Sequence, residues 1–221
     1  MDPSTVIHDH PEVRSYDDRL SEDWDWAMSE GDRFFSEKSQ AFLALRKLVK
    51  RLDEVGVDYS VVGGLALFAH GYQRFTDDVD LVVTKESLAA IHTALDGLGY
   101  IKPFDASKHL RDTELGVRIE FLTTGGFPGD GKEKPVAFPD PIDVSIDRQG
   151  IKFINLPTLV DLKLASGMSN VSRMKDLADI LELIKAAKLP RDLAAQLNPY
   201  VRDEYDRLWQ ASQIKSPNDH D

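Results

Sequence analysis

Apolar positions along this chain recur with helical spacing in some stretches and as short unbroken runs in others. Across residues 36–55, Phe42, Leu43, Leu45, Leu48, Val49 and Leu52 return at helical spacing, with lysines and arginines between them. That pattern predicts a helix, which Gly56 stops. A short apolar run at 59–62 reads as a strand. Gly63 and Gly64 follow, then a small-apolar segment at 65–72. Leu81-Val82-Val83 predicts a further strand. Residues 85–98 predict a second helix, with Leu88, Ile91, Leu95 and Leu98 on one side and Gly99 at its end. Residues 101–122 read as two or three strands, the clearest at 117–122. The stretch 123–141 is rich in Gly and Pro and reads as a long loop, a class that is often functional. Runs at 142–146 and 151–154 flank Asp147-Arg148-Gln149-Gly150 and predict a hairpin. Leu156-Pro157-Thr158 opens a helix through Ala165. A second spans 173–187, with Leu177, Ile180, Leu181 and Ile184 apolar, and Pro190 ends it. Residues 191–213 predict one or two amphipathic helices. No internal repeat is present.

The two ends differ from this body. Residues 1–32 hold ten carboxylates against Arg14 and Arg19, a net −8 of the chain's −11, so the remaining 189 residues carry only −3. Residues 1–35 are expected to be an acidic extension, partly disordered. Trp24, Trp26, Phe34 and Phe35 argue that its latter half docks on the body or on a second subunit, which makes a homodimer through this extension a candidate. His8 and His10 resemble a metal clip, but two histidines in a tail are more often solvated. The remaining divisions are a core at 36–155, a helical region at 156–213 and a tail at 214–221. The 221 residues include no cysteine, which removes disulfides, thiolate zinc sites and cysteine nucleophiles and fits a cytoplasmic protein. No apolar run approaches a membrane span, and the start lacks a basic segment and an apolar core, so no secretory signal is expected. The acidic balance disfavours generic nucleic-acid binding.

The chemistry concentrates between Tyr59 and Val83. Strand side chains alternate faces, so Asp78 and Asp80 point to one side of one strand. Val79, Leu81, Val82 and Val83 mark that strand as central, where carboxylates cost several kcal/mol, by order of magnitude, unless paired or metal-bound. A divalent cation between the two would remove their repulsion. Asp77 points to the opposite face. A glycine pair between strand and helix lets backbone amides approach a phosphate, although a tight turn alone would also need it. Glu120, in Val117-Arg118-Ile119-Glu120-Phe121-Leu122, is the candidate third carboxylate; an Arg118–Glu120 ion pair is the alternative. Lys163 lies in an apolar helix. Arg173, Lys175, Asp176 and Asp179 open the next one, where ordinary surface charge is the competing reading. Arg74 is a candidate phosphate clamp or a partner for Asp78.

Together Val62-Gly63-Gly64, Asp78-Val79-Asp80 and Glu120 resemble the nucleotidyltransferase superfamily, whose fold is shared with polymerase-β-like enzymes. His70-Gly71, Arg74, Thr76, the Lys163 segment and Arg173-Met174-Lys175-Asp176 look like its AbiEii-type branch, which includes toxins of toxin–antitoxin systems. The resemblance covers about residues 40–190. It implies an α+β nucleotidyltransferase fold: a mixed β-sheet flanked by helices, followed by a C-terminal helical segment. It implies transfer of a nucleoside monophosphate from a nucleoside triphosphate to a hydroxyl on RNA, protein or a small molecule, with an antitoxin protein as a further partner. Asp78, Asp80 and Glu120 would hold Mg²⁺ or Mn²⁺. Gly63, Gly64, Arg74, Thr76, Lys175 and Asp176 would bind the nucleotide, and Lys163 would balance its charge. The alternative is a nucleotide-binding or interaction module without catalysis. Gly64 stands where many members have serine, and Glu120 where aspartate is commoner.

Overall fold

The computed structural model describes residues 15–35, 38–104 and 107–214. His8, His10 and the ending from residue 215 lie outside these, as do the side chains of Trp24 and Phe35. Helices α1 (Tyr16–Glu22), α2 (Trp24–Phe35) and α3 (Gln40–Val55) precede strand β1 (Tyr59–Val61), helix α4 (Gly63–Ala69) and strand β2 (Asp78–Val83). Helix α5 (Lys85–Leu95) leads to β3 (Tyr100–Ile101), β4 (His109–Asp112) and β5 (Arg118–Thr123). A long connection then reaches α6 (Pro141–Val144), β6 (Ser145–Arg148) and β7 (Ile151–Ile154). Helices α7 (Leu156–Ser169) and α8 (Met174–Ala186) follow. Two 3₁₀ segments, Arg191–Gln196 and Pro199–Val201, precede α9 (Arg202–Ser212).

Among the described residues, seven strands form one mixed sheet in the order β3-β4-β5-β2-β1-β7-β6. β2 runs parallel to β5 and antiparallel to β1, and β1 runs parallel to β7. The mixed sheet flanked by helices, with a helical C-terminal segment, is the architecture expected. Val79, Leu81, Ile119 and Phe121 are buried on one face of β2 and β5. His92 of α5 meets Phe121 edge-on with ring centroids 6.2 Å apart, so α5 covers that face. The opposite face carries Asp78, Asp80, Arg118 and Glu120, because side chains alternate along both strands. No helix among the described residues is long and apolar enough to cross a membrane.

Several boundaries differ from the pattern, each for a local reason. Helix α3 starts at Gln40 because Ser39 caps it, accepting from the Phe42 amide at 3.4 Å. Gly56 ends it in the left-handed region at φ 74°. Residues 142–144, expected within a strand, join Pro141 in a helical turn. Asp140 accepts the Ile142 amide at 3.0 Å and Pro141 presets the first turn. The predicted hairpin then forms from β6 and β7. Helix α7 runs past Ala165 to Ser169, because α8 packs on Gly167: a Cβ there would meet Leu177 Cγ at 2.5 Å. Helix α5 stops at Leu95, leaving Leu98 exposed.

Among the described side chains of the extension, Tyr16, Trp26 and Phe34 pack within the chain. Phe34 is fully buried, with ring centroids 5.3 Å from Phe42, 5.6 Å from Phe68 and 5.2 Å from Phe75. Tyr16 is buried and meets Trp26 edge-on at 5.4 Å, and the Arg19 guanidinium stacks 4.3 Å above Trp26. Phe34→Ala therefore removes a ring that ties α2 to α3, to α4 and to the segment before β2. It is expected to lower stability by about 3–5 kcal/mol, measured by urea unfolding. A loss under about 1 kcal/mol would show that α2 contributes little to the folded body.

Candidate active site

Strand pairing brings the acidic residues together. In the parallel β2–β5 ladder, Asp78 lies opposite Arg118 and Asp80 opposite Glu120. On the far side of β5, His109 of β4 lies opposite Glu120. Asp80, Glu120 and His109 thus form one row across three strands, on one face of the sheet. Glu120 also receives a hydrogen bond from Arg118 Nη2 at 3.0 Å, so the ion pair and the carboxylate row coexist. Arg118 Nη2 also lies 3.3 Å from His109 Nε2. Asp78 accepts a hydrogen bond from Thr76 Oγ1 at 2.8 Å.

Both glycines are required by close approach. Gly63 opens α4 at φ +63°, and a Cβ there would overlap the Asp80 carboxylate. A Cβ on Gly64 would stand 2.6 Å from both Cβ and Oγ1 of Thr76. Thr76 therefore occupies the space a serine side chain at position 64 would need, and directs its hydroxyl to Asp78. That is the physical reason Gly64 is tolerated here.

The cations of the second half lie in a buried network. Lys163 Nζ donates to Asp176 Oδ1 at 2.6 Å and to Asp179 Oδ2 at 2.8 Å. Arg74 pairs with Asp179 at 2.9 Å rather than with Asp78. Ser166 Oγ donates to Asp176 Oδ2 at 2.6 Å, and Arg173 Nε lies 3.1 Å from that same oxygen. Burial works against the Asp176 charge. Lys163, Ser166 and Arg173 outweigh it and hold the carboxyl below the ordinary range. Lys175 is exposed on the outer side of α8.

A cleft of 250 Å³ joins these parts. Its polar lining comes from Gly63, Asp80, Glu120, Lys163, Arg173 and Asp176. Phe127, Pro128 and Phe138 of the long loop, with Leu159 and Leu162 of α7, supply an apolar wall. Of the sequence candidates, Gly63, Asp80, Glu120, Lys163 and Asp176 meet here. Asp78, Gly64 and Thr76 stand directly behind, Arg74 braces Asp179, and Lys175 lies outside. The sequence reading named Arg173 among the charges opening the second helix without assigning it a role, and gave none to Ser166. Ser166 was traceable as the residue one turn beyond Lys163 on the same helix face.

The pKa of Asp80 is raised to about 8, first by desolvation and then by the carboxylates of Asp78 and Glu120; Lys163 and Arg118 oppose the shift. A hard divalent cation takes oxygen ligands, and Asp78, Asp80 and Glu120 together offer three carboxylates, one of them held protonated near neutral pH. Among the described residues no three acidic or imidazole side chains stand close enough together to hold a cation as they are. The three carboxylates are the donor type such a cation takes, with Glu120 held by Arg118 at 3.0 Å.

Residues 41–119 match the model of a family described as a nucleotidyl transferase of unknown function (DUF2204). The match takes in the glycine pair and the Asp-x-Asp strand and bears out the superfamily resemblance. It does not extend to the narrower AbiEii-type branch. Glu120, Lys163 and Asp176 lie beyond it. No curated protein matches the chain. Among solved structures, ANT(2")-Ia in complex with adenylyl-2"-tobramycin is similar at 11% identity and TM-score 0.43, over 76% of this chain and 98% of that one. A putative nucleotidyltransferase from H. pylori is similar at 16% identity and TM-score 0.42, over 78% of this chain and 94% of that one.

Two outcomes follow from the packing and charge of this site. Gly63→Ala is expected to lower stability by about 1–3 kcal/mol in chemical denaturation, through overlap with Asp80 and a positive φ. A neutral result would contradict the contact. Asp80 is held protonated in the fold more tightly than in the unfolded chain. It therefore favours folding below the ordinary carboxylate pKa of 3.8, and that contribution drains away as pH climbs toward 8. In chelator, the melting temperature of Asp80→Asn should rise relative to the unsubstituted protein by several degrees between pH 5 and pH 9. A constant difference would place Asp80 in an ordinary solvated setting.

Proposed function

We propose that the protein is a metal-dependent nucleotidyltransferase that moves a nucleoside monophosphate from a nucleoside triphosphate to an acceptor hydroxyl. The observation that carries this reading is the register of β2 on β5, which sets Asp80 beside Glu120 on the cleft face, with Gly63 packed against the Asp80 carboxylate. Mg²⁺ or Mn²⁺, held by Asp78, Asp80 and Glu120, would supply Lewis-acid activation of the acceptor oxygen and charge neutralisation at the leaving pyrophosphate. The chain's own residues do the rest. The backbone amides of Gly63 and Gly64, at the start of α4, would donate to phosphate oxygens. Lys163 and Arg173 face the triphosphate charge from the α7–α8 side, and Asp176 and Asp179 hold Lys163 in place. Thr76 fixes the Asp78 carboxylate, and Arg74 fixes Asp179. The acceptor oxygen bonds to the α-phosphorus as the bond to the bridging oxygen breaks. Pyrophosphate leaves with the electron pair, and the hydroxyl proton passes to Glu120.

A second reading, a nucleotide-binding module without transfer, is favoured by one observation: Arg118 already engages Glu120 at 3.0 Å. A toxin role with a cognate antitoxin rests on the resemblance to the AbiEii-type branch alone. It would be tested by expressing the protein with and without its neighbouring gene; no growth defect would count against it.

Incubation with each labelled triphosphate and Mg²⁺ tests the main reading. Label transfer or pyrophosphate release is expected, reduced by roughly two orders of magnitude in Asp80→Asn, the scale of losing one preorganised electrostatic contact. Turnover unaffected by the substitution would refute it. Triphosphate binding without turnover would select the second reading.

A further inference from the structure

The connection between β5 and α6, residues 124–140, has no helix or strand of its own, yet its Phe127, Pro128 and Gly129 line the cleft beside Lys163 and Asp176. Long irregular segments of this kind are usually functional or mobile. This one is pinned along its length. At its base the Gly125 amide donates to the Phe138 carbonyl, and the Phe138 amide donates to the Gly126 carbonyl, both at 2.8 Å. Further out, Gly129 lies directly on α7. A Cβ there would overlap Ser169 Oγ and stand 2.8 Å from the Ser166 carbonyl oxygen. The Asp130 amide donates to Ser169 Oγ at 3.2 Å. On the return, Asn198 Nδ2 donates to the Pro135 carbonyl at 3.2 Å, and the Asn198 amide donates to Asp161 of α7 at 2.9 Å. The wall is therefore seated on the same helix that carries Lys163.

One side chain holds the tip of this wall in shape. Lys134 is only 7% exposed, and its Nζ donates at 2.6 Å both to the Pro128 carbonyl and to Asp130 Oδ1. Both acceptors belong to the loop itself, so the lysine stiffens the loop rather than tying it to the sheet. Asp130 Oδ1 also accepts the Lys132 amide at 3.1 Å. Lys134 does not line the cleft, whereas Pro128, which it holds, does. Proline has no amide hydrogen, so its carbonyl is the backbone group through which its position can be fixed. Burying an ammonium costs free energy unless it is paired and hydrogen-bonded. A segment that served only to link β5 to α6 would gain nothing from that cost. A wall that must stand at a set distance from Lys163 and Asp176 gains its shape.

We propose that Lys134 is a positioning residue for nucleoside triphosphate binding: without touching the ligand, it latches the 124–140 loop through Pro128 and Asp130 into a fixed wall of the cleft. This rests on the nucleotidyltransferase reading of that cleft. The latch acts on binding rather than on the chemical step, because the carboxylates of Asp78, Asp80 and Glu120 stand on β2 and β5 and keep their register without it. Loosening the wall widens the cleft on the Phe127–Pro128 side and leaves the sheet in place.

The test uses the full chain, with ATP, GTP, CTP and UTP as probes in Mg²⁺, and reads binding by calorimetry and loop order by hydrogen exchange. In Lys134→Met, affinity for the triphosphate that binds should fall about tenfold or more, the scale of a misplaced supporting group. The amides of Gly125, Asp130 and Phe138 should lose protection while those of β2 keep theirs. KM should rise with kcat within about threefold. Lys134→Arg, which keeps the charge and the donors, should restore affinity to within about threefold. Asp130→Asn, at an exposed position, should give a smaller loss of the same kind. Lys132→Met removes an exposed cation from the same loop and should change affinity less than about twofold, since exposed charges are screened. Unchanged affinity in Lys134→Met overturns the proposal. So does an equal loss in Lys132→Met, which would make the effect one of charge alone, or a loss of protection spread through β2, which would make it one of global stability. Failure of the underlying reading looks different: Lys134-dependent triphosphate binding with no transfer or pyrophosphate release. Binding of no triphosphate by the unsubstituted protein overturns both.

Discussion

The parallel pairing of β2 with β5 is the constraint on which this structure turns. It forces Asp80 and Glu120 side by side at the centre of a sheet whose other face buries Val79, Leu81, Ile119 and Phe121. The cost is electrostatic: desolvation and two neighbouring carboxylates lift the Asp80 pKa to about 8. Folding alone gains nothing from such an arrangement, whereas a site that binds cations and phosphates does. The neighbouring features follow from it. Gly63 lacks a side chain because Asp80 fills the space, and Gly64 lacks one because Thr76, the hydrogen-bond partner of Asp78, fills it.

A second charge system closes the cleft from the helical side. Arg74, Lys163, Arg173, Asp176 and Asp179 interlock across α7, α8 and the segment before β2. Lys163 is 12% exposed, and its two aspartate partners are 8% and 3% exposed, so neither charge sign is left uncompensated. The network joins sheet and helices where the triphosphate is proposed to sit, and it keeps Lys163 aimed by two short hydrogen bonds. The family match ends at residue 119. Glu120 and the cations of α7 and α8 lie beyond it, and strand register and helix packing bring them to the cleft.

Much was legible in advance where the signal is local. The helix over α3, the strand over β2, the hairpin of β6 and β7 and the break at Pro190 follow from periodicity and turn chemistry. So does the common face of Asp78 and Asp80, since alternation along one strand fixes it. The boundaries that moved did so through contacts the pattern does not carry. Helix α7 extends through Gly167 because Leu177 packs on it. Residues 141–144 turn helical because a cap and a proline outweigh the apolar run.

The sequence by itself determined that a glycine pair follows one strand and that Asp78 and Asp80 share a face at the start of another, because turn chemistry and strand alternation are local. It also marked Glu120 and Lys163 as charges in apolar surroundings. Only the tertiary structure decided which partners those charges take. Strand register placed Glu120 beside Asp80, helix packing gave Lys163 to Asp176 and Asp179, and the same packing gave Arg74 to Asp179 instead of Asp78. The loop from 123 to 141 showed nothing beyond its glycines and prolines in the sequence, yet Phe127, Pro128 and Phe138 wall the cleft. These are contacts between residues far apart in the chain. Periodicity reports which face a side chain takes, and the register and packing of whole elements decide what it meets there.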